Sequence, residues 1–247
     1  MQVPYLMGID VGTSGVKTII IDHKGKLIAR ATVEYPQYSP QPGWSEQEPA
    51  DWWRGTVESI RQALSAGEVK ADRIAGIGLS GQMHGSVFLD KGGEVIRPAL
   101  LWNDQRTAEQ CAWITSKVGR KTIVAETCNP VLTGFQAPKI IWLRDHEPGN
   151  YERLAKVLLP KDYIRYRLTG EFATEVSDAS GTALFNVPQR RWSTTILDKL
   201  SLPRDWFPEC FESPEVSGAI SVDVAALTGL KAGTPVVGGG GDQAAGG

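Results

Sequence analysis

The first 34 residues leave the chain few folds to choose from. Three short runs rich in apolar and β-branched residues, Leu6–Ile9, Val16–Asp22 and the alternating Lys26–Glu34, are separated by two turn signals. These are Asp10-Val-Gly-Thr-Ser-Gly15 and Asp22-His-Lys-Gly25, and turns that tight return each run on its neighbour as an antiparallel three-strand meander. After a Pro-rich loop (Tyr35–Gly43) the period changes. Trp52, Trp53, Val57, Ile60 and Leu64 recur at three- and four-residue steps between Pro49, suited to a first helical turn, and Gly67, suited to a stop. Arg73–Ser80 then reads as a buried strand, and Gly85–Asp90 with Glu94–Arg97 as a hairpin around Lys-Gly-Gly. Residues 98–170 are mainly helical in pattern, 171–233 mix short elements with turn residues, and Val236 and Val237 open a last strand. Strands β-β-β-α-β followed by accumulating helices predict an α/β domain with a mixed sheet flanked by helices.

Composition removes several function classes. With 41% hydrophobic and 22% charged residues and a net charge of −2, the chain is an ordinary globular protein without the basic footprint of a nucleic-acid or membrane-surface binder. Its N-terminus lacks a basic and apolar export pattern, and no apolar run approaches the ~20 residues of a membrane span, so a cytoplasmic location is expected. Cys111, Cys128 and Cys210 are odd in number and far apart, and His23, His84 and His146 show no ligand spacing. Neither a disulfide framework nor a structural transition-metal site is expected.

Two glycine-rich segments carry chemistry. In Gly8-Ile-Asp-Val-Gly-Thr-Ser-Gly-Val-Lys17, small residues let successive N–H groups and the Thr13 and Ser14 hydroxyls surround phosphate oxygens, while Asp10 at a strand end suits Mg²⁺ directly or through water. The segment lacks the adjacent Gly-Lys of a Walker A loop and is followed by a strand, so a hairpin turn would hold the phosphates. A tight turn that simply needs glycine fits the same residues. Gly238-Gly-Gly-Gly-Asp242 ends a short strand with close backbone approach and one carboxylate, a candidate for catalysis. A third segment, Gly76-Ile-Gly-Leu-Ser-Gly81, matches a dinucleotide fingerprint in letters only. Its glycines lie inside the strand and no helix follows, which leaves Gln82, Met83 and His84 at the strand's end.

The chain resembles the FGGY family of carbohydrate kinases, within the actin/hexokinase/Hsp70-like ATPases, over its whole length. The hairpin Asp10-Val-Gly-Thr-Ser14 resembles the superfamily's first phosphate motif, and Gly43-Trp-Ser-Glu-Gln-Glu-Pro49 the segment opening the family's first long helix. Phe135-Gln-Ala-Pro-Lys-Ile-Ile-Trp-Leu-Arg-Asp-His146 resembles a family signature, and Val237-Gly-Gly-Gly-Gly-Asp-Gln243 the second phosphate motif. Within the family, Ser80–Gly85, Leu101–Arg106, Val176–Thr182 and Arg190–Ser193 are most similar to the branch that phosphorylates D-xylulose. Gln243 departs from that branch, which carries Asn after the catalytic Asp, and matches the glycerol-specific branch instead.

The resemblance implies an RNase H-like domain and the following roles. Asp242 is the catalytic base. Asp10, Gly12, Thr13, Ser14, Lys17, Gly240 and Gly241 serve the ATP phosphates, with Mg²⁺ held at Asp10 through water. Gln82, Met83, His84, Trp102, Asn103, Asp104 and Gln243 surround the sugar. Partners would be a small sugar and ATP, with a homodimer left open and no nucleic acid or membrane. His84 also fits a satisfied histidine at a strand end, Lys17 a solvent-facing strand residue, and Lys139 a packed lysine as well as a nucleotide or substrate contact. Trp52, Trp53, Trp113, Trp142, Trp192 and Trp206 read as packing residues. Residues 1–233 are expected to form the sugar-binding domain, and 234–247 the opening strand and second phosphate loop of a truncated second domain, poorly protected as an open edge and inactive alone. The alternatives are a kinase for another substrate such as ribulose or glycerol, and a non-catalytic sugar-binding module.

Overall fold

A computed structural model of the chain describes residues 4–246. Its frame is a seven-stranded mixed sheet. β1 (Tyr5–Val11), β2 (Gly15–Asp22) and β3 (Leu27–Glu34) form the expected antiparallel meander, with Asp10 opposite Lys17 and Gly15 opposite Glu34. β4 (Ile74–Gly81) lies parallel to β1 on its other edge. β5 (Val216–Ala219) is the outer strand and pairs antiparallel with β6 (Pro235–Val237), which is parallel to β4. The two-residue β7 (Gly240–Gly241) then rejoins β4.

This order changes one expectation for the C-terminal segment, that of an open edge. Val236 sits opposite Ile77 with 0% exposure, and β6 has a hydrogen-bonded neighbour on each side. A strand paired on both edges keeps its amides from solvent, so β6 is an inner strand of this sheet and no open edge.

Between β3 and β4 runs α1 (Pro49–Ala66), with Pro at its start and the Gly67 N–H bonded to the Ala63 carbonyl at its end. Trp52, Thr56, Ile60 and Ala63 are fully buried at steps of four and three, and Leu64 falls to the flank. The polar members of this seam have partners: Ser59 and Thr18 of β2 share a hydrogen bond of 2.7 Å. A second core lies beside the first, built around α2 (Gln136–His146) with helices Ala108–Val118, Arg120–Thr127 and Thr194–Leu200. Back on the sheet, α3 (Pro160–Thr169) and α4 (Val222–Thr228) flank α1 and bury Ile164, Leu168 and Val224.

Two smaller expectations change. The 85–97 segment does turn, with Ile96 N–H bonded to the Phe88 carbonyl, but Val87–Leu89 finds its main partner in Lys156–Leu158. That partner is distant in sequence, so local turn signals could not reveal it. Trp52, Trp142 and Trp192 pack inside, whereas Trp113 is 38% exposed with the Arg144 guanidinium 4.5 Å above its ring.

Candidate active site

The parallel strands β1, β4 and β7 end side by side, with Asp10 level with Ser80 and Ser80 level with Gly240. Their loops therefore leave the sheet at one edge, the carboxyl ends where open α/β sheets bind ligands. Thr13, Met83, His84, Trp102, Asp242 and Gln243 line a cavity there of about 230 Å³. Asp10, Lys17, Ser80, Ser177 and Gly240 line an adjoining cleft of about 370 Å³. Of the sequence candidates, Thr13, Met83, His84, Trp102, Asp242 and Gln243 line the cavity, and Asp10, Lys17 and Gly240 the cleft.

The first glycine loop is a hydrogen-bonded reverse turn, closed by the Gly12 N–H to the Gly15 carbonyl at 3.1 Å. The Tyr35 hydroxyl donates to the Gly12 carbonyl, and Gln47 Nε2 donates to the Thr13 carbonyl at 2.8 Å. Asp10 accepts the Ser80 hydroxyl at Oδ1 (2.6 Å), while Oδ2 has no hydrogen-bond partner among the described residues. That free carboxylate oxygen at the cleft suits water molecules around a hard cation. No group of three or more His, Cys, Asp or Glu is arranged to ligate a bare metal among the described residues. Ser14 is exposed on the turn, and Lys17 is exposed along the cleft, so the strand position of Lys17 faces the same space as Asp10.

On the cavity side, Trp102 is 47% exposed and donates its indole N–H to Thr13 Oγ1 at 3.0 Å. His84 adopts the left-handed conformation, φ 66°, which for a non-glycine residue is held only by its surroundings. Its ring lies 4.7 Å from Phe135, and Nδ1 is 2.9 Å from the Gly181 carbonyl. A carbonyl only accepts, so Nδ1 carries the proton and Nε2 is left as an acceptor. Burial lowers the His84 pKa from 6.5, with Lys139 adding to that, against the Gly181 carbonyl and Asp242. The folded imidazole takes up its proton at a lower pH than the unfolded one, so stability falls as the pH drops through 6.5. The melting temperature should therefore fall more between pH 7 and 5.5 than that of His84→Asn, whose side chain tolerates the left-handed backbone and does not titrate. Equal falls would contradict a buried neutral His84.

The second glycine loop is braced from beneath. Fully buried Arg165 of α3 donates to the carbonyls of Val237 (3.0 Å) and Gly238 (3.1 Å) and to the Ser217 hydroxyl. The Gly241 N–H donates to Ser177 Oγ (3.1 Å), and that hydroxyl donates to Glu175 (2.8 Å). Glu175 also caps the helical turn Val176–Ala179 through the N–H groups of Ser177 and Asp178. Gly241 has no room for a side chain, since a Cβ would fall 2.6 Å from Met83 Cγ. Met83 therefore packs directly against the loop bearing Asp242. Behind them, burial would push Lys161 down, but Asp162, Asp178 and Glu175 more than offset it and hold the ammonium above its usual pKa. Asp178 goes the other way: burial, together with Asp162, Glu175 and Asp242, raises it well above the carboxylate range against the pull of Lys161. Sequence reasoning assigned nothing to Arg165, Glu175 or Ser177. A charged residue on a helix reads as a solvated face, and only the reach of Arg165 from α3 to the carbonyls of Val237 and Gly238 gives it its task.

Three candidates fall outside the cavity. Gln82 is buried and acts as a strut, donating to Gln47 Oε1 (3.0 Å) and accepting the Thr13 hydroxyl (3.4 Å). Asp104 is buried and saturated by Arg106 and by the Ser45 N–H (2.7 Å), which leaves no oxygen for a sugar. Asn103 is half-buried, away from the cavity lining, and its Oδ1 has no partner among the described residues. Lys139 is fully buried and touches neither cavity nor cleft; its Nζ donates to the carbonyls of His84 (2.9 Å) and Gly134 (2.6 Å).

Comparison with known proteins identifies the fold and the family. A solved "xyloylose kinase" from Brucella ovis superposes with a TM-score of 0.90 at 38% identity, covering 97% of this chain and 48% of that one. The fold is therefore that of sugar kinases of the actin/hexokinase-like ATPase class. The family model for the FGGY family of carbohydrate kinases, N-terminal domain, matches residues 5–247. Xylulose kinase of Bacillus subtilis (strain 168) is 44% identical over 242 residues, 98% of this chain and 48% of its own length. That of Escherichia coli (strain K12) is 43% identical over 243 residues, 97% and 49%. The chain belongs to the FGGY family of carbohydrate kinases, a family of ATP-using sugar kinases, and spans about half the length of the curated relatives it matches. No helix among the described residues is long and apolar enough to cross a membrane.

Proposed function

We propose that this chain forms the sugar-binding and catalytic-base half of an ATP-dependent D-xylulose kinase. The observation that carries the reading is the cavity in which Met83, His84, Trp102 and Gln243 surround the carboxylate of Asp242, at the edge where both glycine loops emerge. At about 230 Å³ it suits a small polyol and falls below the roughly 300–1,000 Å³ of drug-sized sites.

In this reading Trp102 gives the C–H face of the sugar an apolar wall, and His84 Nε2 accepts a hydrogen bond from a hydroxyl. Asp242 takes the proton of the terminal hydroxyl, O5 of xylulose, as that oxygen bonds to the γ-phosphorus and the bond to the β-phosphate oxygen breaks. The products are D-xylulose 5-phosphate and ADP. Lys17 and Gly240 serve the phosphates from the cleft, with Thr13, Ser14 and Gly241 on the two glycine loops between it and the sugar. Bound Mg²⁺ would supply charge neutralisation, and Asp10 would hold its water shell. Catalysis here is mostly positioning, which is what the buried braces beneath Gly238 and Gly241 provide. The adenosine moiety is assigned to residues outside this chain, in a cytoplasmic enzyme.

Gln243 tests the substrate. A site differing by one methylene discriminates by about 10–200-fold at most. Calorimetry with the chain should show D-xylulose binding more tightly than glycerol or D-ribulose, and Gln243→Asn should widen the preference over glycerol about tenfold. Tighter binding of glycerol than of D-xylulose would overturn the assignment.

A further inference from the structure

Lys139 poses a question that the proposed chemistry leaves unanswered. It is fully buried, and among the described residues no carboxylate lies within ion-pair distance of it. Lys161, the other fully buried lysine, is surrounded by Asp162, Glu175 and Asp178. A lysine buried without a counter-ion is costly, and burial indeed pulls its pKa down from 10.5 to about 7, with Asp104 opposing and Arg106 adding. A leucine or methionine would fill the same space without that cost, so filling the core does not explain the amine.

Its two hydrogen bonds do. One goes to the carbonyl of His84, the residue held in the left-handed conformation at the cavity wall. The other goes to the carbonyl of Gly134, next to Phe135, whose ring packs on His84. Gly134 also lies against Trp102, since a Cβ there would fall 2.4 Å from the Trp102 carbonyl oxygen. One amine thus ties the loop carrying Met83 and His84 to the loop that backs Trp102. A neutral amine has two N–H bonds, and both are used here.

We propose that Lys139 is a positioning residue of the sugar site, fixing the left-handed backbone of His84 and its spacing from Trp102 by bridging the carbonyls of His84 and Gly134. This rests on the reading of the cavity as the sugar site, and the test separates the two. Lys139→Met keeps the length and apolar character of the side chain and removes the donors. With only three histidines in the chain, each imidazole is resolvable by proton NMR. In Lys139→Met the His84 titration should move up and its signal broaden or split. Affinity for D-xylulose should fall tenfold or more. A folded Lys139→Met with an unchanged His84 titration and unchanged affinity overturns the proposal.

If that variant does not fold, the unaltered chain decides. With ¹³Cε-labelled lysine, the signal that titrates near neutral pH should shift its midpoint when D-xylulose saturates the site. A midpoint blind to bound sugar overturns the positioning role. If D-xylulose does not bind the unaltered chain, the sugar assignment fails, and the His84 titration alone still judges the bridge from Lys139.

Discussion

Gly239→Ala should destabilise the chain by about 3–5 kcal/mol and abolish the second glycine loop. Gly239 has φ 78°, and a Cβ at that position would fall 2.1 Å from the Leu79 carbonyl oxygen. Leu79 belongs to β4, locked between β1 and β6, so the obstacle is rigid backbone rather than a side chain that can swing away. The loop must move instead, and it carries Gly240 and Gly241 out of register with Ser80 and Gly81. Urea unfolding would show the loss as a lower midpoint, and amide exchange would show Gly241 released from Ser177. A midpoint within about 1 kcal/mol of the parent would contradict the packing described for this loop.

Asp242→Asn should lower phosphate transfer roughly 10²–10⁴-fold, the usual worth of a positioned general base. The amide keeps the size of the carboxylate and its carbonyl can still accept the Gln243 N–H, a bond of 2.7 Å in the parent. Folding should therefore be untouched and affinity for D-xylulose changed only slightly, with the loss confined to kcat. A fall in sugar affinity with kcat preserved would instead make Asp242 a sugar-binding residue.

Much of the frame was legible because it is written in local patterns. The β1–β2–β3 meander, α1 between Pro49 and Gly67, and the glycine turn at 12–15 each follow from spacing within about thirty residues or fewer. The position of β6 was not, because sheet order depends on partners far apart in sequence: Val236 meets Ile77 across more than half the chain. Polar residues in a motif posed a different difficulty. Gln82 and Asp104 sit in segments that also hold true cavity residues, yet both turn inward, one to Gln47 and the other to Arg106. Sequence identifies a donor or a carboxylate but not its direction. Arg165 and Ser177 were invisible for a related reason, since their work is done on backbone atoms of a loop remote from them in sequence, and Glu175 acts on that loop only through Ser177.

The decisive measurement is ³¹P NMR of the protein carrying this chain, mixed with D-xylulose and MgATP, alongside its Asp242→Asn variant. The unaltered protein should convert D-xylulose to a phosphomonoester with stoichiometric ADP, and the variant should form almost none in the same time. No transfer to D-xylulose by the unaltered protein, or equal rates for the two proteins, would contradict the assignment of Asp242 and its cavity to sugar phosphorylation.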